Sequence, residues 1–378
     1  MRVLTVNAGS SSLKLRVLDE DGTLVAERDL PAPRGLGDAA VIAGALDEVE
    51  GIEAVGHRVV HGGAEFSEPA LLDDAVVEHI AALTPLAPLH QPKALAGIHA
   101  VRGIFLRLPE VACFDTAFHA RIPDAAAVYP VPKEWTERWG VRRYGFHGLS
   151  HAYASRRAAE IVGADAGDLR IVTCHLGAGA SLAAVRDGQS VDTTMGYTPL
   201  EGLMMATRCG DMDPGLLLWA QDTLGMTAAE VSTLLTNGAG LLGMTGTPDM
   251  REVVDRAAAG DADAALALEV YVHRLRGSIA RMAASLGGLD LLVFTGGVGE
   301  NGVEVRRRAA EGLAFLGVEL DAGLNEAGPA DREIGAPGAA ARAVVVAARE
   351  DLEIARETRE VVRARAAGAG AAPAPHGY

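Results

Sequence analysis

The residues best suited to chemistry fall in short clusters rich in glycine, arginine and histidine. In VGHRVVHGG, Arg58 lies between His57 and His61, and in CFDTAFH, Asp115 ends an apolar run. A guanidinium fork fits two oxygens of a carboxylate or phosphate, and a carboxylate at a strand end suits the active edge of an α/β sheet. Taken singly, Arg58 would more often form a surface salt bridge, and Asp115 would more often cap a helix.

Two further clusters place histidine and arginine in glycine-rich chain. In RRYGFHGLSH, His147 and His151 have the i, i+4 spacing of a zinc pair, but no third ligand is evident and the nearby glycines predict a loop at His147. The densest cluster runs from HLGAGAS through VDTTMGYTPLEGLMMATRCGDMDPG and contains His175, Arg208 and Asp211. Its apolar composition is not that of a solvated charged face and favours a functional site.

The fifth cluster, LLVFTGGVGEN at residues 291–301, is an apolar run that ends in glycines. Glycines after a strand leave room for a flat ligand or its phosphates. The motif is not a Walker A sequence, because Lys and Ser/Thr do not follow, and it is not GxGxxG. The glycines alone would suggest a dehydrogenase, but the sequence lacks the dinucleotide-binding fingerprint of that class.

A pattern that occurs twice must position several of these residues. RVLTVNAGSSSLKLRVLD from Arg2 and RIVTCHLGAGASLAAVRD from Arg170 align without gaps, so that Gly9 corresponds to Gly177. Each copy predicts a strand, a loop of small residues, a second strand and an acidic–glycine turn. Such a loop turns backbone N–H groups toward one point and suits phosphate oxygens. Two unrelated hairpins are the alternative, but the shared register and the basic Lys14 favour phosphate.

Strand-like and helical stretches alternate along the chain, which predicts an α/β fold. Strands are expected near 2–7, 13–18, 54–60, 111–114, 170–174, 181–186, 291–295 and 343–347. Helices are expected near 74–83, 94–105, 150–161, 214–223, 227–235, 262–286, 303–312 and 350–366. The repeat predicts two duplicated domains, the first comprising 1–118 with the final helix (352–366) and the second 119–351, followed by a disordered tail (367–378).

Composition limits the classes of function. With 378 residues, 49% of them apolar, the chain can build two cores. Its net charge of −16 disfavours nucleic acid and anionic membranes as partners. No apolar run is long enough for a membrane span, and no signal-peptide pattern opens the sequence. The three cysteines, Cys113, Cys174 and Cys209, show no CxxC spacing, which argues against a disulfide framework or zinc site and favours the cytoplasm.

Together, six motifs resemble the acetate kinase family: NAGSSSLK, GHRVVHGG, FDTAFH, YGFHGLSH, the DTTMGYTPLEGLMMATRCGDMDPG block and FTGGVGEN. They occur in the family's order over residues 1 to about 358. The resemblance implies the duplicated actin-like (ribonuclease H-like) fold of sugar kinases, Hsp70 and actin, with nucleotide in an interdomain cleft. It also implies reversible, Mg²⁺-dependent transfer (Mn²⁺ is an alternative ion) of the ATP γ-phosphoryl to acetate, giving acetyl phosphate and ADP, in a cytoplasmic homodimer.

The resemblance implies a role for each matching residue. Arg58 and Arg208 match the arginines that bind the acyl carboxylate and the phosphoryl group in flight. Asp115 and Glu350 match acids associated with Mg²⁺, and His147 matches the histidine that contacts the transferring phosphoryl.

Further matches concern binding. They are His90 and His175 as active-site histidines; Asn7, Ser10, Ser12 and Lys14 in the first phosphate loop, with Asn7 also near the metal; Gly177 and Gly179 in the second; Val60, Leu89, Phe146 and Pro199 around the acetate methyl; and Asp249, Met250, Arg251, Gly297, Val298, Gly299 and Asn301 on the adenosine side.

Three positions depart from the family pattern. The second phosphate loop usually reads HLGNG, but here Ala178 replaces the asparagine, which removes a side-chain donor and bears on the choice of phosphate donor. The usual NEE before the last helix is Arg349-Glu350-Asp351, so that either acid can be the metal ligand. PLHNP is here PLHQP.

An acceptor carboxylate, with a pKa near ~4, is already ionised at pH 7 and needs no general base. We therefore assign Asp115 to metal and orientation and expect direct in-line transfer. The alternatives are a propionate or other short-chain acyl kinase, a sugar kinase, which would need a base and a larger polar pocket, and a nucleotide-binding relative with lapsed activity.

Overall fold

The computed structural model of the chain describes residues 1–9, 12–31, 39–47, 49–88 and 90–368. Ser10, Leu89 and the tail from residue 369, for which we stated expectations above, lie outside these residues. The chain divides into two compact units, the first comprising Met1–Ala120, Phe146–Tyr153 and Arg349–Tyr378, and the second Arg121–Gly145 and Ala154–Ala348. The segment Phe146–Tyr153, which falls inside our expected second domain, is thus grouped with the first unit.

Within the described residues, twelve strands and fifteen α-helices are formed. The strands are β1 (Val3–Ala8), β2 (Ser12–Leu18), β3 (Leu24–Pro31), β4 (Ala54–Val59), β5 (Ala70–Leu71), β6 (Glu110–Phe114), β7 (Ile171–Leu176), β8 (Ala180–Arg186), β9 (Gln189–Thr193), β10 (Leu291–Thr295), β11 (Arg332–Glu333) and β12 (Arg342–Val345). The helices are α1 (Ala39–Leu46), α2 (Asp74–Ala82), α3 (Gln91–Ile104), α4 (Asp124–Ala127), α5 (Lys133–Trp139), α6 (Gly148–Val162), α7 (Gly215–Leu224), α8 (Ala228–Asn237), α9 (Gly240–Thr245), α10 (Met250–Ala258), α11 (Ala262–Leu286), α12 (Gly296–Asn301), α13 (Val303–Glu311), α14 (Ala322–Glu326) and α15 (Glu350–Ala366).

The two units contain sheets of the same topology. The first sheet has the order β3-β2-β1-β4-β6-β5 and the second the order β9-β8-β7-β10-β12-β11. In each, the three central strands are parallel to one another and the outer strands are antiparallel to their neighbours. The gapless alignment of Arg2 with Arg170 carries the bounds of β1 and β2 onto those of β7 and β8. The predicted duplication is confirmed, and so is the actin-like α/β fold that the family resemblance implies.

The last helix of the chain packs on the first sheet. Helix α15 lies against β1, β4 and β6, with Ile354 and Thr358 buried. Gly56 in β4 permits this close approach, because a Cβ there would lie 2.3 Å from Thr358 Oγ1 and 2.6 Å from Ile354 Cγ2. The contact fixes the N-terminus of α15, and with it Glu350, relative to the strands.

The longest helix, α11, supports the second sheet. Asp261 caps its start, where the carboxylate accepts hydrogen bonds from the N–H groups of Asp263 and Ala264, and Gly287, in the left-handed conformation, caps its end. The buried residues Leu268, Val272 and Leu275 recur at helical spacing, and the helix packs against β7 and β8.

All eight predicted strands and all eight predicted helices are present within a few residues. The sequence analysis missed β3, β5, β9 and β11 and helices α1, α4, α5, α9, α10, α12 and α14, most of which are short. Strand β3 is an exposed edge strand without alternating burial. The glycines after β10 are helical: Gly296, at φ +78°, turns the chain directly into α12. None of the described helices combines the length and apolar character needed to cross a bilayer.

Candidate active site

Three polar residues lie at the same edge of the first sheet. Asn7 and Arg58 are the penultimate residues of β1 and β4, and Asp115 directly follows β6. Since these strands are parallel neighbours, their carboxyl ends share one edge. The N-terminus of α15 adds Glu350 to this group.

Direct contacts join the four side chains. Arg58 Nε donates to Asp115 Oδ1 at 3.1 Å, Arg58 Nη2 donates to Asp115 Oδ2 at 2.5 Å, and Arg58 Nη1 donates to Asn7 Oδ1 at 3.2 Å. Asn7 Nδ2 in turn donates to Glu350 Oε2 at 2.9 Å, and this oxygen lies 3.8 Å from Arg58 Nε. The structure therefore brings together four residues that lie far apart in the sequence.

The electrostatics of this group follow from its burial. Asp115 is fully buried, and burial raises the pKa of its carboxyl group, while the charge of Arg58 acts in the opposite direction. Burial also opposes the charge of Arg58, but Asp115 and Glu350 outweigh it and raise the pKa of the guanidinium. Arg58 is therefore a fixed cation at the sheet edge.

His147 lies just before α6, in the loop that the flanking glycines predicted. Its backbone has φ +57°, in the left-handed region. The preceding residue, Phe146, is buried and meets the ring of His61 edge-on, with 5.4 Å between ring centroids. Burial lowers the pKa of His61 to about 4, so this ring is neutral at physiological pH. Val60, also buried, follows β4 directly, and His90 precedes α3.

In the second unit, Arg208 is adjacent to the second glycine loop. The N–H of Ala206 donates to the carbonyl of Ala178 at 3.2 Å, which joins segment 205–208 to the loop at 177–179. Arg208 Nη1 donates to Pro199 O at 3.0 Å and lies 3.5 Å from Met205 Sδ. Within the described part of the chain Arg208 forms no ion pair, and burial lowers its pKa.

The tips of the two hairpins are closed by internal hydrogen bonds. The N–H of Gly9 donates to Ser12 O at 2.8 Å, and the N–H of Gly177 donates to Gly179 O at 3.0 Å. We expected the N–H of Gly177 to be available for phosphate, but in this structure the loop itself uses it. Lys14 pairs with Asn7 across the first hairpin, and its side chain is exposed.

Seven of the predicted nucleotide-binding residues line one cavity of about 850 Å³ in the second unit, a size typical of ligand sites. They are Gly177, Asp249, Met250, Arg251, Gly297, Val298 and Asn301. Gly179 and Gly299 are not part of this lining, and His175 is in β7, in register with Thr295. Asp249 caps α10 and pairs with Arg251 at 2.7 Å, which lowers the pKa of Asp249.

The sequence analysis missed several residues around these sites. Leu241, Val254 and Tyr271 supply apolar walls of the cavity. The fully buried Arg306 donates to Gly299 O at 2.7 Å and to Glu300 O at 2.8 Å, and so holds the end of α12. The spacing of Val254 four residues after Met250 was a usable signal, whereas nothing local to Arg306 shows where its side chain lies.

A duplicated α/β fold of this topology, with arginines near two glycine loops and a cavity of nucleotide size, is suited to a phosphotransferase. The model of the Acetokinase family matches residues 38–356, and the chain belongs to this family. The family assignment makes the enzyme a phosphotransferase that uses a carboxyl group as acceptor.

Relatives and solved structures agree with the assignment. The chain is 47% identical to the acetate kinase of Nostoc punctiforme over 328 residues, which are 86% of this chain and 80% of that protein. It is 46% identical to the acetate kinase of Microcystis aeruginosa, and the alignment covers 94% of this chain and 87% of that protein. The crystal structure of Porphyromonas gingivalis acetate kinase superposes on this chain with a TM-score of 0.89 at 36% identity. The superposition covers 96% of this chain and 99% of that structure. The structure of a propionate kinase from Francisella tularensis superposes with a TM-score of 0.88 at 37% identity, and it covers 95% of this chain and 99% of that structure.

Proposed function

We propose that the chain transfers the γ-phosphoryl group of ATP reversibly to acetate, forming acetyl phosphate and ADP. One observation carries the proposal: Arg208 is a half-buried cation whose guanidinium donates to Pro199 O and, in the described residues, has no counter-ion. A buried charge is costly unless an anion compensates it. Arg208 is therefore suited to an anionic substrate group, and the names of the relatives supply the identity of that group.

The side chains divide the work of transfer between them. The transition state of phosphoryl transfer spreads charge over the phosphoryl oxygens, so positioning and electrostatics dominate. Arg58 would orient the acetate, while Arg208, His147 and His175 would stabilise the phosphoryl group in flight. Because the acceptor carboxylate is already ionised at neutral pH, with a pKa near ~4, Asp115 would orient Arg58 and need not remove a proton. Transfer is then direct and in line, without a phosphoenzyme.

Mg²⁺, or Mn²⁺ in its place, fits the oxygen groups at the edge of the first sheet. Magnesium prefers oxygen ligands and commonly takes one or two carboxylates, with phosphates and water completing its shell. Asn7 and Glu350 would hold the ion, with Asp115 beside them. We favour Glu350 over Asp351, because Glu350 lies at the sheet edge, 2.9 Å from Asn7 Nδ2, whereas Asp351 is paired with Arg349 at 2.8 Å. Among the described residues, no three His, Cys, Asp or Glu side chains form a metal cluster by themselves. When bound, the ion would neutralise phosphate charge.

Propionate is the second candidate acid, since a propionate kinase superposes on this chain as well as an acetate kinase does. Val60, Phe146 and Pro199 would border the methyl group, together with Leu89. An apolar pocket distinguishes one methylene by only about 1–3 kcal/mol. We therefore propose that propionate is used, less well than acetate.

A hydroxamate assay for acyl phosphate tests the proposed reaction. Acetate, propionate, butyrate and glucose should be compared as acceptors, and ATP, GTP and pyrophosphate as donors. We expect acetate with ATP to be the best pair. Tight binding of ATP without any acyl phosphate would instead identify a relative with lapsed activity. Inversion at a chiral phosphoryl group would support direct transfer, and retention would defeat it.

We also propose a homodimer that functions in the cytoplasm. Helix α7 has no buried residue, although its sequence GLLLWAQDTL is apolar, and Leu218 and Trp219 are 64% and 51% exposed. Exposed apolar surface of this kind is typical of a protein interface. Cys113, Cys174 and Cys209 are free thiols, which supports a reducing compartment.

A further inference from the structure

His147 has a backbone conformation that is unfavourable for its residue type. A non-glycine residue in the left-handed region is uncommon, and it persists where the surrounding structure over-determines it. His147, at φ +57°, is one of only three such residues in the described chain. Strain of this kind is concentrated at functional sites.

Hydrogen bonds hold the peptide groups on both sides of His147. On one side, Phe146 O accepts from His119 Nε2 at 3.1 Å; on the other, the N–H of Gly148 donates to Asp115 O at 2.9 Å. A Cβ at Gly148 would lie 2.1 Å from Asp115 O, so that only glycine permits this approach. The angles φ and ψ of His147 are the rotations between these two peptide groups. Because the turn from Asp115 to His119 holds both peptide groups, it fixes both angles.

His119 lies inside the protein, where its ring can donate a hydrogen bond in either protonation state. It is not exposed to solvent as an acid or base. Its side chain is fully buried, and its ring meets those of Phe118 and His151 edge-on, at 5.5 Å and 5.7 Å between centroids. Since Phe146 O can only accept, Nε2 of His119 carries the proton in this contact. The proposed reaction has no proton transfer that would need this histidine.

We propose that His119 is a positioning residue: its Nε2–H holds the Phe146–His147 peptide and thereby keeps His147 in the left-handed conformation from which its imidazole acts on the phosphoryl group. The inference rests on the role of His147 in the proposed function. It explains why FDTAFH ends in histidine: one end of this short motif carries the carboxylate bound to Arg58, and the other holds the loop of His147.

A matched pair of variants tests the contact. The amide of glutamine in His119→Gln can take the place of Nε2–H, whereas the shorter side chain of His119→Asn cannot reach Phe146 O. We expect His119→Asn to lower kcat by about 10²-fold, as misplacement of a reacting group does. His119→Gln should retain most of the activity, and neither should change the affinity for ADP. If His119→Asn does not fold, His119→Met supplies a donor-free variant of larger volume.

A double mutant separates positioning from a general structural effect. If His119 acts through His147, adding His119→Asn to the His147→Ala variant should lower kcat further by less than about threefold. Losses that multiply would overturn the inference, as would equal kcat values for the Asn and Gln variants. His99→Gln, at an exposed histidine of α3, is the control and should leave kcat unchanged.

Hydrogen exchange of the Gly148 amide gives a readout that does not need activity. We expect this amide to exchange at least about tenfold faster in His119→Asn than in His119→Gln, because its hydrogen bond to Asp115 O depends on the same held loop. Equal exchange would overturn the inference. A wild-type chain that forms no acyl phosphate would defeat the proposed function instead, and exchange would then decide the positioning role alone.

Discussion

Arg58 and Asp115 face each other across neighbouring parallel strands and share three hydrogen bonds. Asp115 is fully buried, and the side chain of Arg58 is only 15% exposed. Each charge therefore depends on the other for compensation. This relationship fixes the guanidinium of Arg58 at the sheet edge and gives a direct test of stability.

Replacing Asp115 by asparagine should destabilise the chain by about 3 kcal/mol, because it removes the closest counter-ion of Arg58 and leaves only Glu350, 3.8 Å from Arg58 Nε. Urea unfolding of Asp115→Asn measures this free energy. Glu160→Gln, at a surface pair with Arg157, is the control and should cost less than about 1 kcal/mol. Equal losses in the two variants would show that Arg58 does not depend on Asp115.

Truncating Arg208 should remove catalysis while sparing the fold. By analogy with arginine fingers, Arg208→Ala should lower kcat by on the order of 10³ or more. Steady-state kinetics of acyl phosphate formation measure the effect. The surface residue Arg138, paired with Glu134 and 69% exposed, provides the control Arg138→Ala. A near-normal kcat in Arg208→Ala would rule out its proposed role.

Restoring asparagine at position 178 should improve the use of ATP. Ala178 is exposed and lines the cavity of the second unit, so a side-chain amide there could donate to nucleotide phosphate. One such hydrogen bond, worth about 0.5–1.5 kcal/mol, would lower the KM for ATP by about twofold to thirteenfold. Ala164→Asn, in an exposed turn, should not change KM. If Ala178→Asn also leaves it unchanged, the loop does not contact the phosphates.

Glu357 on α15 should make stability depend on pH. Burial, and then the neighbouring Glu353, raise its pKa to about 8, and its Oε2 has no hydrogen-bond partner among the described residues. Because the folded pKa lies above the unfolded value of about 4.3, the folded state binds more protons between these two pH values. The contribution of Glu357 to stability is therefore greatest at low pH and is lost as pH rises toward 8.

Replacing Glu357 by glutamine should remove this dependence. We expect Glu357→Gln to match the wild type near pH 4–5 and to become progressively more stable than it up to pH 8, as measured by urea unfolding across this range. Glu269→Gln, at an exposed residue of α11, should show no such trend. A constant difference between Glu357→Gln and the wild type would mean that Glu357 does not titrate in this range.

A charge on α7 should dissociate the proposed dimer. Trp219 is 51% exposed on this apolar helix, and Trp219→Asp would place a carboxylate in the interface, where burial is costly. Analytical ultracentrifugation should show a monomer. Leu106, which is 84% exposed in the first unit, offers the control Leu106→Asp, which should remain dimeric. Dimeric Trp219→Asp would place the interface elsewhere.

Much of the fold could be predicted because its signals are local. Apolar runs around loops of small residues identified strands β1, β2, β7 and β8, and the predicted bounds of α11 and α15 agree with the structure. Helix α12 was missed because its glycines favour turns when considered alone, and only packing against β7 and β10 makes them helical. Strand β3 was missed because an edge strand exposed to solvent needs no apolar alternation.

The residues of the site were predicted unequally for the same reason. The ends of β4 and β6 marked Arg58 and Asp115, and the resemblance of short motifs to a known family marked His147 and Arg208. His119 was passed over, although it closes one of those motifs. No local pattern shows that its ring reaches the carbonyl of Phe146.

The sequence by itself determined the duplication, the α/β class and the strand ends that carry polar residues, since neighbours within a few positions set these properties. Only the tertiary structure decided which charges meet. Glu350 joins Arg58 and Asn7 because α15 packs back on the first sheet, whereas the half-buried Arg208 forms no ion pair with a carboxylate of the described chain. Burial and counter-ions are set by segments distant in the chain, and these determine whether an arginine is a structural ion or a binding site.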